Sequence, residues 1–277
     1  MSNPLTVLDH GRLRGRMVYA VRSRRSRGIS IGVNLFPHRK VCDLDCIYCE
    51  VVNAGDSGVE PTTEQLRGEL ESTFADIAAK REFEGERIND IAFSGDGEPT
   101  ISPLFASAVE VAIDVRARFG PPSLKLVLIT DALTLHRPAT RAAVDRLMAN
   151  GGEIWAKLDA GTDEYFRLVG RGKVSIERPF ENIRELARTH PVVIQSLFLR
   201  VRGEPTPPEE VEAYVERLRR LVTAGAKLQR IDVYTVARPT EEPWATALTR
   251  DEVEAIAARV RGAIPASIPV EAYGSTG

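Results

Sequence analysis

Three cysteines are all the thiols this chain has in 277 residues. An odd count cannot close into a disulfide framework, and such frameworks belong to secreted proteins with an even number of cysteines. No apolar run approaches the length of a membrane span, and no hydrophobic signal core opens the N-terminus. The expected location is therefore the reducing cytoplasm, where thiols stay free. Net charge is also nearly absent: 37 Lys and Arg stand against 39 Asp and Glu, giving −2. Bulk charge thus selects no partner. There are no internal repeats and no low-complexity segments, which removes solenoids and disordered linkers from consideration.

What the chain does have is concentration. All three thiols fall in Cys42-Asp43-Leu44-Asp45-Cys46-Ile47-Tyr48-Cys49. Thiolates are soft ligands and suit iron–sulfur clusters, zinc or copper(I). Closed 4Fe–4S clusters take four cysteines, so three leave one iron without a protein ligand, open to bind and reduce a small molecule. His38, close before Cys42, offers the alternative of a Cys3His zinc site. Zinc loops more often pair two separated Cys-x2-Cys halves, and this chain has only one.

Around that loop, strand and helix patterns alternate. Residues 30–36 read as a β-rich first strand, ended by Pro37 and followed directly by the cysteines. Further strands are expected over 88–94, 124–130, 153–159, 192–200 and 230–236, with a short one over 270–273. Helices are expected from Thr62 or Thr63 to about Lys80, then over 103–119, 138–150, 179–190, 207–223 and 249–261. Apolar strands alternating with helices predict a parallel β/α architecture. Six units make the expected fold class α/β, a partial (β/α)6 TIM-type barrel over residues 29–277. A short basic N-terminal extension, residues 1–28, would precede it, carrying apolar pieces at 5–8 and 17–21 and one or two edge strands.

The spacing Cys-x3-Cys-x2-Cys, with Tyr48 just before the last cysteine, resembles the cluster loop of the radical S-adenosylmethionine superfamily. The resemblance implies that Cys42, Cys46 and Cys49 hold a 4Fe–4S cluster and that Tyr48 lies against the adenine of S-adenosylmethionine. It implies chelation of that cofactor at the open iron, one-electron cleavage of a carbon–sulfur bond, and hydrogen abstraction by a 5′-deoxyadenosyl radical. An external electron donor of the flavodoxin or ferredoxin type goes with it. One unit later, Ser94-Gly95-Asp96-Gly97-Glu98-Pro99-Thr100 resembles the Gly-Gly-Glu motif that holds the methionyl amino group. Gly97 and Glu98 match; Asp96 replaces the usual first glycine. On residues alone, the same stretch reads as a tight strand-to-helix turn.

Later strand ends supply further candidates. Thr130-Asp131 stands where the superfamily often has Thr-Asn, and Asp131 reads either as facing substrate or, in preference, as capping the next helix. Lys157 and Asp159 share the face of Trp155. They form either an internal ion pair or, through Lys157, a contact to the S-adenosylmethionine carboxylate or to substrate. By resemblance, Gln195 or Ser196 meets the ribose. Tyr234 reads as barrel interior, and Arg238 as an anion contact.

The most basic stretch runs from Arg12 through Arg14, Arg16, Arg22, Arg24, Arg25, Arg27 and Arg39 to Lys40, with no acidic residue among them. A charge run of this kind is ordinarily a solvated arm. Arg22, Arg24, Arg25 and Arg27 are equally suited to phosphates of RNA or a nucleotide. Ser23-Arg24-Arg25, the Ser94–Thr100 stretch and Lys157-Leu158-Asp159-Ala160 together resemble stand-alone relatives of the tRNA wyosine synthases, without that group's second set of cysteines. Two other readings remain from the residues: radical chemistry on a small metabolite or a protein glycine, and a zinc or electron-transfer protein that is not an enzyme.

Overall fold

The computed structural model describes residues 15–23, 25–51, 58–79 and 85–274. Arg12, Arg14, Arg24, the apolar piece at 5–8 and the expected helix end at Lys80 lie outside the described residues. The chain forms two compact units. One comprises Met1–Cys42, Val51–Ile129 and His136–Glu153; the other comprises Asp43–Glu50, Thr130–Leu135 and Ile154–Gly277.

In the first unit, β1 (Val18–Ser23) pairs antiparallel with β2 (Gly28–Val33). Parallel strands β3 (Ile88–Phe93) and β4 (Lys125–Thr130) follow in that order. Helices α1 (Thr63–Ala79), α2 (Phe105–Phe119) and α3 (Pro138–Ala149) follow β2, β3 and β4 in turn. β2 is buried along nearly its whole length, as a strand covered on both faces must be. α1 turns Leu66, Leu70, Phe74 and Ile77 inward at helical spacing. Its Glu69 carboxylate accepts the N–H groups of Met17 and Val18 at 2.9 and 3.0 Å, which closes part of the edge that β1 would otherwise expose. Tyr19 of β1 lies flat across Gly32 of β2, where an added Cβ would come within 2.1 Å of the ring. The Tyr19 hydroxyl sits 2.8 Å from Ser94 Oγ. β1 therefore flanks the strand from which the cysteine loop departs.

The second unit runs through β5 (Gly152–Lys157), whose first two residues belong to the first unit, then α4 (Asp163–Gly170), α5 (Glu177–Ala187) and β6 (Val192–Leu197). It continues with β7 (Leu199–Val201), β8 (Glu204–Pro205), α6 (Pro208–Thr223) and β9 (Leu228–Tyr234). β10 (Ala245–Ala247), α7 (Arg250–Arg261) and β11 (Val270–Tyr273) complete it. β5, β6, β9 and β11 are parallel neighbours in that order, while β10, β7 and β8 form a small antiparallel sheet. α7 opens with a full capping box, Thr249 and Glu252 each satisfying the other's backbone N–H. From β2 onward six parallel strands each lead into helix, the α/β architecture of a partial (β/α)6 TIM-type barrel.

The structure departs from the sequence expectation at several points. α4 and the short strands β7, β8 and β10 were unforeseen, and the strand expected over 192–200 is divided: β6 stops at Leu197, Phe198 N–H makes a last bond to Tyr234 O of β9 at 2.8 Å, and Leu199–Val201 join the small antiparallel sheet instead. Among the described residues no helix is long and apolar enough to cross a membrane.

Candidate active site

Chemistry in β/α folds gathers at the C-terminal ends of strands, and the cysteine loop leaves the C-terminal end of β2. Within the first unit, a buried amide organises its start. Asn34 Oδ1 accepts the N–H groups of Phe36 and Asp96 at 3.0 and 3.1 Å, and its Nδ2 donates to Asp96 Oδ2 at 2.9 Å. The acid that stands in place of a glycine in the resembled motif is thus fastened to the strand before the cysteines. Val41 then bridges to Gly97: its N–H donates to Asp96 O at 3.2 Å, and its carbonyl accepts from Glu98 N at 2.9 Å. A Cβ on Gly97 would fall 2.0 Å from Val41 O, so the approach requires glycine. Glu98 is buried; its Oε1 accepts from Thr100 N and Oγ1 at 3.1 and 2.6 Å and caps the short 3₁₀ turn Pro99–Ile101. Cys42, the next residue after the bridge, is exposed.

In the second unit the rest of the loop is pinned by backbone bonds on both sides of Cys46. Asp45 N–H donates to Gly170 O and Ile47 N–H to Val169 O, both at 2.9 Å, where α4 ends. Cys49 N–H turns back onto Cys46 O at 3.0 Å, and Cys49 O accepts from Glu241 N at 3.1 Å. Tyr48 is buried and donates its hydroxyl to Asp159 Oδ2 at 2.5 Å, while Asp159 Oδ1 accepts Leu197 N–H at 2.8 Å. Lys157 Nζ lies 3.0 Å from Asp159 Oδ2, 3.2 Å from the Tyr234 hydroxyl and 4.9 Å from the centre of the Tyr48 ring. Lys157 and Asp159 therefore form an internal ion pair, and Tyr48 and Tyr234 join it.

The electrostatics follow. Burial pushes the Cys46 thiol up to about 12, against the pull of the Lys157 ammonium. Burial would lower Lys157, but Asp159, Tyr234 and Cys46 outweigh it and hold the ammonium above its ordinary value. Burial, then Asp159 and Cys46, raise Tyr48 well above the usual phenol range.

Register separates the two ribose candidates. Gln195 stands in line with Lys157 on β5 and with Asp232 on β9, so it shares their face; its Nε2 donates to Asp232 Oδ2 at 2.5 Å. Arg230 grips the same carboxylate at 2.6 and 3.0 Å and lies over Trp155. Ser196 faces the other way, its Oγ 2.7 Å from the Tyr214 hydroxyl of α6. Gly161, after Asp159, serves close packing, since a Cβ there would lie 2.2 Å from Tyr214 N. The buried Glu210 receives Thr162 N–H at 3.2 Å and its hydroxyl at 2.6 Å.

Other residues singled out in the sequence have partners within the chain. Asp131 Oδ1 accepts Leu133 N–H at 2.9 Å inside the turn after β4, whereas Arg137 is the N-cap of α3. Arg238 pairs with Glu50 at 2.7 Å. In the first unit, Arg22 pairs with Glu86 at 2.6 Å, and Arg25 and Arg27 sit in the β1–β2 turn, at the N-terminal end of β2. The cysteine loop leaves the opposite end of that strand, whose 6 residues span roughly 20 Å. Asn34, Glu210 and Tyr214 carried no motif in the sequence.

Among the described residues, no three His, Cys, Asp or Glu side chains stand together as ligands of one ion. The fit to an iron–sulfur cluster rests on donor chemistry and anchoring. Three soft thiols are carried by one loop, which is backbone-bonded just before Cys42, on both sides of Cys46 and at Cys49 itself.

No family model matches the chain. A UPF0026 protein of Helicobacter pylori (strain J99) is 23% identical over 234 residues, covering 84% of this chain and 70% of its own length. Among solved structures, TYW1 with a lysine–pyruvate adduct bound is similar with a TM-score of 0.55 at 14% identity, over 93% of this chain and 78% of that one. A spore photoproduct lyase variant with bound AdoMet and dinucleoside spore photoproduct reaches 0.61 at 10% identity, over 99% of this chain and 87% of that one. Both are radical S-adenosylmethionine enzymes, so the superfamily resemblance carried by the cysteine loop is matched by a fold shared along nearly the full chain.

Proposed function

We propose that this chain is a radical S-adenosylmethionine enzyme that holds one 4Fe–4S cluster through Cys42, Cys46 and Cys49 and acts on RNA or a nucleotide. The observation that carries the reading is the Val41–Gly97 bridge, which ties the start of the cysteine loop to the Gly97-Glu98 segment. When bound, the cluster supplies the electron, drawn from a flavodoxin- or ferredoxin-like donor, that cleaves S-adenosylmethionine to methionine and a hydrogen-abstracting 5′-deoxyadenosyl radical. The protein's part is to bind, aim and exclude water. Cys42, Cys46 and Cys49 supply thiolates. Lys157 sets a fixed positive charge beside Cys46, which favours its thiolate form. Tyr48 gives the loop an aromatic wall held by Asp159. Gly97 and Glu98 offer the backbone and carboxylate for the methionyl amino group, and Gln195 is the ribose candidate on the Lys157 face.

The substrate class is supported by the dinucleoside in the spore photoproduct lyase complex and by the arginine run. Given their place at the N-terminal end of β2, Arg22, Arg25 and Arg27 would contact phosphates away from the reacting nucleotide. The test is anaerobic reconstitution with iron and sulfide, then dithionite and S-adenosylmethionine, with 5′-deoxyadenosine as the readout. Wild type is expected to form it and Cys46→Ala to lose it. Failure of reconstituted wild type to form it, with and without added RNA, overturns the proposal.

A further inference from the structure

We infer that Trp244, Arg202 and Arg171 form a platform in the second unit that takes a single-stranded segment of the nucleic-acid substrate, a base against the indole and a phosphate on Arg202. The inference deepens the substrate reading above and rests on it. Trp244 is half-buried and directly precedes β10. The other of the chain's two tryptophans, Trp155, is buried in β5. Two guanidinium groups gather on Trp244: the central carbon of Arg202 lies 5.4 Å from the ring centre and that of Arg171 lies 5.7 Å away.

The backbone fixes this arrangement. Arg202 N–H donates to Trp244 O at 2.9 Å. Arg202 and Gly203 form the tight turn between β7 and β8, with φ of 54° and 89°. Such turns favour Asn-Gly; a long cation at the first left-handed position is strained, and strain of that kind collects where a side chain must be aimed.

Charge balance singles out the same residue. Neighbouring arginines are neutralised: Arg200 by Glu252, Arg238 by Glu50, and Arg171 by Glu242 and Asp45. Among the described residues, Arg202 has no carboxylate partner, and neither has Lys173, two residues past Arg171. The platform is also bonded to the cysteine loop, through Arg171 to Asp45 at 3.3 Å and Glu241 N–H to Cys49 O at 3.1 Å. An aromatic face flanked by guanidinium planes is how unpaired bases and their phosphates are held. An acidic protein partner would need the cations but not the indole.

The probe is a short fluorescein-labelled single-stranded RNA of mixed sequence, titrated into the reconstituted full chain while anisotropy and tryptophan emission are read. Binding should quench Trp244 emission. Trp244→Ala should weaken affinity roughly five-fold or more, with Trp244→Phe retaining most of it. Arg202→Ala should reduce the slope of affinity against salt by about one unit. Urea unfolding of each variant separates loss of binding from loss of fold, and Arg202→Gln provides a milder version of the charge removal. Unchanged affinity in folded Trp244→Ala and Arg202→Ala overturns the inference, as does a loss confined to electron delivery from an acidic flavodoxin. The 5′-deoxyadenosine assay on wild type is independent of these readouts, so failure of the platform and failure of the radical chemistry are told apart.

Discussion

Gly97→Ala is the sharpest perturbation the site allows. Gly97 does not use a left-handed φ, so alanine's own backbone preference costs nothing there. The cost is contact: the new Cβ would sit 2.0 Å from Val41 O and 2.6 Å from Phe36 Cδ2. Neither atom is the end of a flexible chain. Val41 O must withdraw by roughly an ångström, and with it go the two bonds of the bridge, Val41 N–H to Asp96 O and Glu98 N–H to Val41 O. At about 0.5–1.5 kcal/mol each, their loss costs about 1–3 kcal/mol. Because Cys42 follows Val41 directly, the strain falls on the first ligand. We expect fewer irons per chain after reconstitution, slower formation of 5′-deoxyadenosine, and a urea midpoint lowered in proportion. Gly68→Ala in α1, where an added Cβ meets nothing within 4 Å, is the matched control and should stabilise by about 0.5–1 kcal/mol. If Gly97→Ala takes up a full complement of iron with an unchanged urea midpoint, the bridge does not position the loop and the reasoning is refuted.

Three more predictions rest on buried polar groups. Lys157→Met leaves Asp159 buried with Tyr48 and Leu197 N–H but no cation. Loss of one partner of a buried pair costs about 3–5 kcal/mol, and the side chain's 20% exposure puts the expected loss at about 3 kcal/mol in urea unfolding. Tyr214→Phe removes the partner of Ser196 Oγ between two fully buried residues and should cost about 1–3 kcal/mol by the same assay. Asp90, in β3, has its carboxyl raised by burial, against a hydrogen bond from Ser30. The folded state therefore binds a proton more readily than the unfolded chain, and this group's contribution to stability falls as pH rises from the ordinary aspartate value through the raised one. Asp90→Asn should accordingly be more stable than wild type at neutral pH, with the difference shrinking toward acid pH; a difference that grows instead would contradict the burial argument.

Most of the fold was legible because its strands are continuous apolar runs and its helices carry a periodic buried face. The start of α7 was readable from Thr249 and Glu252, a local pair that works wherever it is placed. α4 was missed because eight residues bounded by Gly161 and Gly172 resemble a long turn, and because it ends on Arg171 at φ 50° where a glycine would ordinarily mark the stop. β7, β8 and β10 are too short for any period to appear. In the site, the cysteines were legible because ligand chemistry dictates both residue type and spacing. Asn34 and Glu210 were not, since each holds backbone atoms of a distant segment, and nothing in its neighbours announces that. As neighbours along one strand, Gln195 and Ser196 lie on opposite faces. Deciding which one shared the face of Lys157 needed the pairing of β6 with β5 and β9.

The arginines show the limit of reading charge from sequence. The run from Arg22 to Arg27 is the densest in the chain, yet Arg22 is held by Glu86, 64 residues away, in a bidentate pair. Arg202 sits in a stretch of mixed charge and has no carboxylate partner among the described residues. Density along the chain sets neither the field at a surface nor the end of the strand where that field acts. Reversal of Arg25 and Arg27 together should therefore weaken binding of a folded RNA and lower its salt dependence, as loss of phosphate contacts does. At saturating RNA it should leave the quenching of Trp244 intact. Arg202→Glu should reduce both affinity and quenching. If the Arg25 and Arg27 reversal abolishes Trp244 quenching at saturation, in a variant that still unfolds with the wild-type urea midpoint, then the basic turn places the nucleotide and the platform at Trp244 does not.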